Sequence, residues 1–292
     1  MKNNEIVGAK SNKIGLYICR VLSYIFLVLI SVLCLFAFYM LIINSTRSNA
    51  QLQSGFELFP KEHFLDNLKT AWTDTSIVSI PQGLFNSFII AASSAILTTY
   101  FSAMTAYAIH VYNFKGKKFA FNFIMVVMMI PTQVSAVGFI QLVNQFGLTN
   151  TYWPLIIPAI ASPATFFYMK QYIESALPIE VVEAARVDGS NEFRTFNTIS
   201  LPMLRPAMAV QLIFAFVASW NNFFTPALIL NKKETQTVPI MLSLLRSEMN
   251  SRNGDLGEIY MIILLSIIPV IIVYILISKH IIQGVTMGSV KG

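Results

Sequence analysis

The chain holds 292 residues, 55% hydrophobic and only 12% charged, with mean hydropathy +0.63 and a formal net charge of +6. Soluble globular domains do not reach that balance, so the bilayer is the expected solvent. No basic face with interleaved aromatics occurs, which excludes a nucleic-acid surface, and Cys19 and Cys34, in or beside one apolar run, give neither a disulfide framework nor a zinc site.

Charge-free runs place the spans in chain order. Residues 1–20 form a basic leading segment. Residues 21–46 carry no Asp, Glu, Lys or Arg and predict a first helix across 21–43, enough to cross at about 20 residues per span. The run exceeds a secretory signal in length and no small-residue cleavage site follows, so the helix is expected to remain. In segment 62–72, Phe64, Leu65, Leu68, Ala71 and Trp72 share one helical face, which suits an amphipathic cover at the membrane interface. The run 75–114 gives one crossing, 84–108, because Pro81 and Gly83 mark its start. The run 119–169 would extend about 75 Å as a single helix, too long for one crossing. The turn-rich Asn144-Gln-Phe-Gly-Leu-Thr-Asn150 divides it into 119–142 and 153–172.

Two further charge-free runs supply crossings at 206–230 and 259–278. The expected fold is an all-α membrane protein with six transmembrane helices over 21–279, a polar loop at 173–205 between helices four and five, and a tail at 280–292. Thirteen Lys and Arg fall on the side of the N-terminus against seven on the other, which puts both termini in the cytoplasm.

Motifs of self-powered chemistry are missing. Gly116-Lys117-Lys118 lacks the upstream glycine and the Ser/Thr of a phosphate-cradling loop. His63, His110 and His280 lie in three different loops or ends, so no metal site and no catalytic residue is expected. No charge is stranded in mid-membrane, which argues against a proton relay or a voltage sensor.

The polar loop carries the strongest pattern, Glu183-Ala-Ala-Arg-Val-Asp-Gly-Ser-Asn-Glu-Phe-Arg-Thr-Phe-Asn-Thr-Ile-Ser-Leu-Pro202. Pro178 can open a helix, Glu180 and Glu183 suit its positive end, and Gly189 fits a left-handed stop. Ser190 is the expected N-cap of a second helix, in which Phe193, Phe196 and Ile199 or Ser200 form one apolar face and which Pro202 and Pro206 end. The product is a cytoplasmic helix–turn–helix. It would either rest on the bilayer or dock into a protein groove. Glu183, Asp188 and Glu192 against Arg186 and Arg194 leave it acidic on balance, unlike the basic polar face of a surface-bound helix.

Glu183-Ala184-Ala185, then Gly189, then Ile199-Ser200-Leu201-Pro202 resembles the EAA loop of membrane subunits of ABC importers. Met129-Ile-Pro-Thr-Gln-Val134, Gly147-Leu-Thr-Asn-Thr-Tyr-Trp153, Ser219-Trp-Asn-Asn-Phe223 and the closing Gln283-Gly-Val-Thr-Met-Gly-Ser-Val-Lys-Gly292 are similar to the carbohydrate (maltose-type) branch, binding-protein-dependent, from about residue 15 onward. Many relatives carry Trp-Asn-Asp where this chain has Trp220-Asn221-Asn222, so no carboxylate role carries over to Asn222.

The resemblance implies a non-catalytic permease subunit forming half of the translocation pathway of an ATP-driven oligosaccharide importer in the bacterial cytoplasmic (inner) membrane. Its implied partners are a second related permease in a heterodimer, two ATPase subunits that bind the ATP and Mg, and an extracytoplasmic solute-binding protein for which 62–72 would offer part of a landing surface. This chain itself would hold no cofactor. Glu183, Ala184, Ala185, Asp188, Gly189, Ile199, Leu201 and Pro202 are the implied coupling residues.

Trp220, Asn221 and Asn222, with Gln133 beside Pro131, are candidate pathway residues, since a sugar wants an aromatic face and amide partners. Amides bonding neighbouring helices would use the same residues. Ser93, Ser94, Thr98, Thr99, Ser102 and Thr105 in the second span read as close helix packing. Glycerol phosphodiesters or polyols remain alternative solutes, and a stand-alone secondary transporter is the alternative of a different class.

Overall fold

In the computed structural model, residues 2–75, 79–249 and 255–288 are described, with side chains described for 15–75, 79–247 and 255–278. Every regular element among the described residues is helical. Lipid offers no hydrogen bonds to a backbone, and a helix satisfies its own.

The chain divides into two compact units, residues 1–71 with 255–264, and residues 72–254 with 265–292. In the first, α1 (Lys2–Ser45) includes the apolar stretch Gly15–Ser45, whose aliphatic and aromatic side chains are almost all exposed. The chain then folds back around Arg47, which is 2% exposed. Its guanidinium donates to the carbonyls of Gln51 and, at 2.7 Å, Gly55, and lies 3.8 Å from the Glu57 carboxylate. Between these contacts α2 (Asn49–Gln53) opens with a reciprocal capping box of Ser48 and Gln51.

The predicted helix at 62–72 forms as α3 (Phe64–Thr73), but with a different inner face. Of the expected face, Ala71 is buried but Phe64, Leu65 and Trp72 stay exposed, and the other buried side chain is Asn67, whose amide donates at 2.9 Å to the carbonyls of Ser45 and Arg47. Those two carbonyls, at and just beyond the C-terminus of α1, need donors, and this demand outranks the apolar pattern.

The second unit is organised on α4 (Ile80–Val111), which begins with Pro81 near its N-terminus. α5 (Lys117–Met128) and α6 (Ala136–Gln145) follow, then α7 (Trp153–Ile156), a 3-10 turn (Ile157–Ile160) and α8 (Pro163–Ala176). The polar loop contains α9 (Ile179–Val187), α10 (Glu192–Thr195) and a π-helical segment (Phe196–Ser200), which runs into α11 (Leu201–Trp220). After it come α12 (Phe224–Ile229), α13 (Val238–Met249) and α14 (Leu256–Gly288), the last beginning in the first unit.

α4 packs most extensively on α11 and α8. Ala91, Ala95, Ala103 and Ala106 are at most 1% exposed, and small residues allow this close approach. Below them, Tyr107, Phe166, Met169, Ile173, Phe196 and Leu204 form one core.

Among the described residues, four helices are long and apolar enough to span: Gly15–Ser45, Ile80–Val111, Glu192–Trp220 and Leu256–Ser278. They overlap the expected crossings at 21–43, 84–108, 206–230 and 259–278. The other two expected crossings are interrupted. Region 119–142 is split into α5 and α6 around Pro131, and 153–172 into α7, the 3-10 turn and α8, with Pro154, Pro158 and Pro163 at the joins. Proline removes a donor and obstructs the preceding turn. Pro163 cannot donate to the carbonyl of Ala159 four residues back, and Thr98 on α4 donates to it instead at 2.7 Å. Ser94 donates to the Leu155 carbonyl at 3.3 Å. Two of the polar residues of the second span therefore bond a neighbouring segment, as expected of close packing.

The turn expected at 144–150 is present. Asn150 holds a positive φ of 62°, a conformation that Asn tolerates better than most residues. Its Oδ1 accepts from the N–H groups of Asn231 (2.6 Å) and Lys232 (2.8 Å), tying this turn to the chain after α12.

Gly257 gives a test of the first unit. A Cβ built there would lie 2.6 Å from the Arg47 carbonyl and 2.8 Å from the Asn67 amide, whereas one at Gly138 meets nothing within 4 Å. Gly257→Ala is expected to cost about 1–3 kcal/mol and to lower the thermal midpoint in detergent by several degrees. Gly138→Ala, within α6, is expected to leave it unchanged or slightly raised. Equal midpoints for the two variants would contradict this packing.

Candidate functional site

Two features stand out in the second unit, the hairpin of the polar loop and a cleft beside α11. The hairpin begins at Pro178, whose extended backbone caps α9. At its far end Gly189 takes φ +78°. The Gly189 N–H reaches the Arg186 carbonyl (3.0 Å) and the Ser190 N–H reaches the Ala185 carbonyl (2.9 Å), the paired bonds of a Schellman stop. The second helix is capped one residue later than expected. Asn191, not Ser190, accepts from the Arg194 N–H at 2.8 Å, while Ser190 Oγ accepts from Thr195 Oγ1 at 2.9 Å.

Pro202 and Pro206 do not end this helix, contrary to expectation. The chain stays helical from Glu192 to Trp220. Where Pro202 has no N–H, the helix widens to the π form, and Leu201 donates five residues back to Phe196. The expected shared face of Phe193 and Phe196 also separates: Phe196 is 3% exposed in the core and Phe193 is 70% exposed.

The hairpin thus has two sides. Val182, Ala185, Thr195, Phe196 and Ser200 are buried, whereas Glu183, Ala184, Asp188 and Gly189 are exposed, along with Val187. Ile199, Leu201 and Pro202 are half-buried at the root. Of the expected coupling residues, Ala185 is buried and Leu201 packs against this chain's own core.

Glu192 fastens the hairpin to the end of α4. One carboxylate oxygen accepts from Arg186 Nε at 2.7 Å, and the other accepts from the hydroxyls of Tyr112 (2.6 Å) and Tyr107 (3.3 Å). The Arg186 guanidinium also lies over the Tyr112 ring, 5.6 Å from its centre. Burial first, and then the bond to Glu192, push the Tyr112 phenol above its usual range, so it remains a donor through neutral pH. The bond to Glu192 likewise holds Arg186 above its already high range. Higher on α4, Tyr100 donates to Asn197 Oδ1 at 3.1 Å, and its ring meets Phe196 edge-on. An exposed Arg–Glu pair alone contributes little, but here it closes a network whose other members come from a different helix. Nothing in the sequence marked Tyr107, Tyr112 or Glu192 as partners, because they are 80 or more positions apart.

The cleft has a volume of about 1180 Å³ and lies against α4, α6, α8, α11 and the segment after α11. Asn222 lines it, with Thr132, Gln211, Ser219 and Phe224. The other expected pathway residues do not. Trp220 is 4% exposed and stacked on Phe216 at 5.6 Å, in a core with Ala91 and Ala95, because it points to the α4 side of its helix. Asn221 and Gln133 are exposed beside the cleft, not within its lining. Among the other lining residues, Phe214 was not singled out from the sequence, and Gln211 stood out only for its polarity within the fifth span. Their signal was the helical spacing back from Asn222. No group of His, Cys, Asp and Glu suited to a metal occurs among the described residues.

Comparison with known proteins accords with this architecture. Residues 99–287 match the family described as the binding-protein-dependent transport system inner membrane component. The chain is similar to the arabinooligosaccharides transport system permease protein AraQ of Bacillus subtilis, 32% identical over 278 residues, covering 94% of this chain and 96% of that one. It is 30% identical to the trehalose/maltose transport system permease protein MalG of Thermococcus litoralis, over 94% of this chain and 97% of that one. The fold is similar to a chain in the crystal structure of a bacterial ABC transporter involved in the import of the acidic polysaccharide alginate, with TM-score 0.76 at 20% identity, over 90% of this chain and 96% of that one. The chain therefore belongs to the binding-protein-dependent transport-system inner-membrane components, the permeases of ABC importers.

Proposed function

We propose that this chain forms half of the translocation pathway of an ATP-driven sugar importer and that its 173–205 loop couples the pathway to ATPase closure. Relatives across their whole length are named as permeases for arabinooligosaccharides, lactose and trehalose/maltose, which supports a sugar as solute. The cleft lining holds no charged side chain, which disfavours a glycerol phosphodiester and also a secondary transporter driven by a buried ionisable group. The proposed assembly adds a second permease, two ATPase subunits that carry ATP and Mg, and an extracytoplasmic binding protein, in the bacterial cytoplasmic membrane. In this reading the chain crosses six times within 21–279, the third and fourth crossings being the proline-broken segments, with 1–20 and 280–292 in the cytoplasm.

The observation that carries the proposal is the two-sided hairpin. Its inner side belongs to the core of α4, α8 and α11, and its outer side offers Glu183, Ala184, Asp188 and Gly189 to a partner. A short element fixed at one face can be pushed from the other without folding up, and pushing it must move α4 and α11. Coupling between distant sites needs such a packed element. A polyol would fit the uncharged cleft as well, but no relative cited here is named for one.

Three measurements test this. Gly189→Val places a β-branched residue at φ +78°, a cost of about 1–2 kcal/mol or more confined to the hairpin. It is expected to leave insertion and assembly intact while ATP hydrolysis no longer yields matched uptake. Full uptake with normally stimulated hydrolysis would count against the coupling role. Glu192→Leu, which unfastens the hairpin from α4, is expected to reduce coupling with little loss of assembled complex, and Glu192→Gln to fall between it and wild type. In a background with Cys19 and Cys34 replaced by Ser, Asp188→Cys is expected to react with an impermeant thiol reagent only from the cytoplasmic face. Labelling from the outside would refute the orientation.

A further inference from the structure

In the first unit, the loop after α2 is pinned at both ends to the end of α1. Arg47 holds the near end through the carbonyls of Gln51 and Gly55. At the far end the Lys61 N–H donates to Thr46 Oγ1 at 2.8 Å and the His63 N–H to the Thr46 carbonyl at 3.0 Å. Between these points the chain turns back along α1. The Tyr39 hydroxyl donates to the Leu58 carbonyl, and the Phe56 ring lies 6.4 Å from that of Phe36, which is itself 6.5 Å from the Tyr39 ring. Since α1 ends at Ser45, Tyr39 and Phe36 lie roughly 9 and 14 Å back from that end. The loop therefore descends beside the helix.

The depth it reaches can be placed. The apolar stretch Gly15–Ser45 has 31 residues, about 46 Å of helix, against about 30 Å for the hydrocarbon core and about 40–45 Å with the headgroup zones. Centred on the bilayer, its last five or so residues lie in the interfacial zone and Tyr39 stands at the border of the hydrocarbon, where amphipathic rings collect. Two features of the loop suit that depth. Its carbonyls are met by side chains, Gln51 and Gly55 by Arg47 and Leu58 by Tyr39, as backbone withdrawn from bulk water requires. Its apolar side chains point outward, with Phe56 70%, Phe59 72% and Leu58 42% exposed. The Glu57 carboxylate, between them in sequence, turns back to Lys61 at 2.7 Å and Arg47 at 3.8 Å.

We infer that residues 55–60 form an interfacial anchor, with Phe56 and Phe59 inserted into the glycerol and upper acyl zone of the leaflet at the C-terminal end of α1. The partner is phospholipid. A soluble protein would be met by a loop standing above α1, and this one runs beside it, along a face where Phe36, Phe38 and Ile42 are exposed as well. With Glu57 and Lys61 paired, the loop grips the apolar zone and does not select a headgroup charge. The inference needs α1 to be a crossing, and it is independent of the coupling role of the 173–205 loop.

The test uses the full assembly in vesicles of phosphatidylethanolamine and phosphatidylglycerol, with Cys19 and Cys34 replaced by Ser and a nitroxide attached in turn at Phe56→Cys, Phe59→Cys, Phe26→Cys and Glu62→Cys. Relaxation of the label by oxygen, which concentrates among acyl chains, is compared with relaxation by a water-soluble nickel chelate. The oxygen-to-nickel ratio at positions 56 and 59 is expected to be severalfold above that at 62 and below that at 26, an exposed position deep in the apolar run of α1. Tyr39→Phe, which removes the hydroxyl from Leu58 and keeps the ring, is expected to lower the ratio at 56 and 59 and to leave 26 unchanged. Nickel access at 56 and 59 equal to that at 62 would overturn the anchor, because the loop would then stand in water. Labels reached by neither reagent would also overturn it, as a covering membrane chain produces that result, and so would labels that an added solute-binding protein shields. The readout needs neither ATP nor solute and can be repeated on this chain without ATPase subunits, so loss of the anchor and failure of the permease reading are told apart.

Discussion

A bilayer interior supplies no hydrogen bonds, so any interruption of a helix there must be repaired from within the protein. This constraint shapes the second unit. The segment from Trp153 to Pro163 is broken at Pro158 and Pro163, and its stranded carbonyls are met by hydroxyls on α4, Ser94 to Leu155 and Thr98 to Ala159. The same helix and its C-cap contribute the small residues that let α8 and α11 approach and the tyrosines that hold the hairpin of the polar loop. α4 is thus both packing partner and source of donors, and the irregular segments can exist only because it lies beside them. Irregular backbone in apolar surroundings is tolerated where protein surrounds it or a cavity adjoins it; residues 154–163 pack beside α4, and several of them line the cleft.

The hairpin obeys a related logic. Its stop at Gly189 and its cap at Asn191 are local, each secured by bonds within a few residues. Its attachment is long-range, through Glu192 to Tyr107 and Tyr112 and through Phe196 to the core. Local bonds give it shape and distant bonds give it purchase on the helices. The loop carries a mixed-charge outer surface on which Val187 and Phe193 are exposed.

What was legible in the sequence follows the range of the interaction behind it. Charge-free runs located the helices, since exclusion of charge from apolar surroundings acts on each residue independently. Gly189 was readable because a left-handed stop is demanded by its own backbone. Capping moved by one residue, from Ser190 to Asn191, since both residue types can cap and only the final geometry chooses. The prolines misled in both directions. Pro202 and Pro206 were expected to end a helix and are absorbed by a π widening, whereas Pro158 and Pro163 break a stretch that composition alone would carry across. In the cleft, Asn222 was found by residue type, but Trp220 was assigned by its chemistry without its azimuth, and one residue of helix rotates a side chain by about 100°. Gln211 and Phe214 needed that rotation to be known.

The unbroken path from Glu192 to Trp220 has a consequence of its own. Twenty-nine residues of continuous helix make a strut of about 43 Å, with the carboxylate clamp at one end and the stacked indole at the other. A strut seated at both ends cannot slide; it can only tilt or twist. The looser winding at Phe196–Ser200 lies near the clamped end, where torsion would be absorbed with the least disturbance to the packed remainder. The geometry favours rotation about the long axis over translation along it, and rotation is the motion that would sweep a row of side chains on one face from one side of the membrane's interior toward the other.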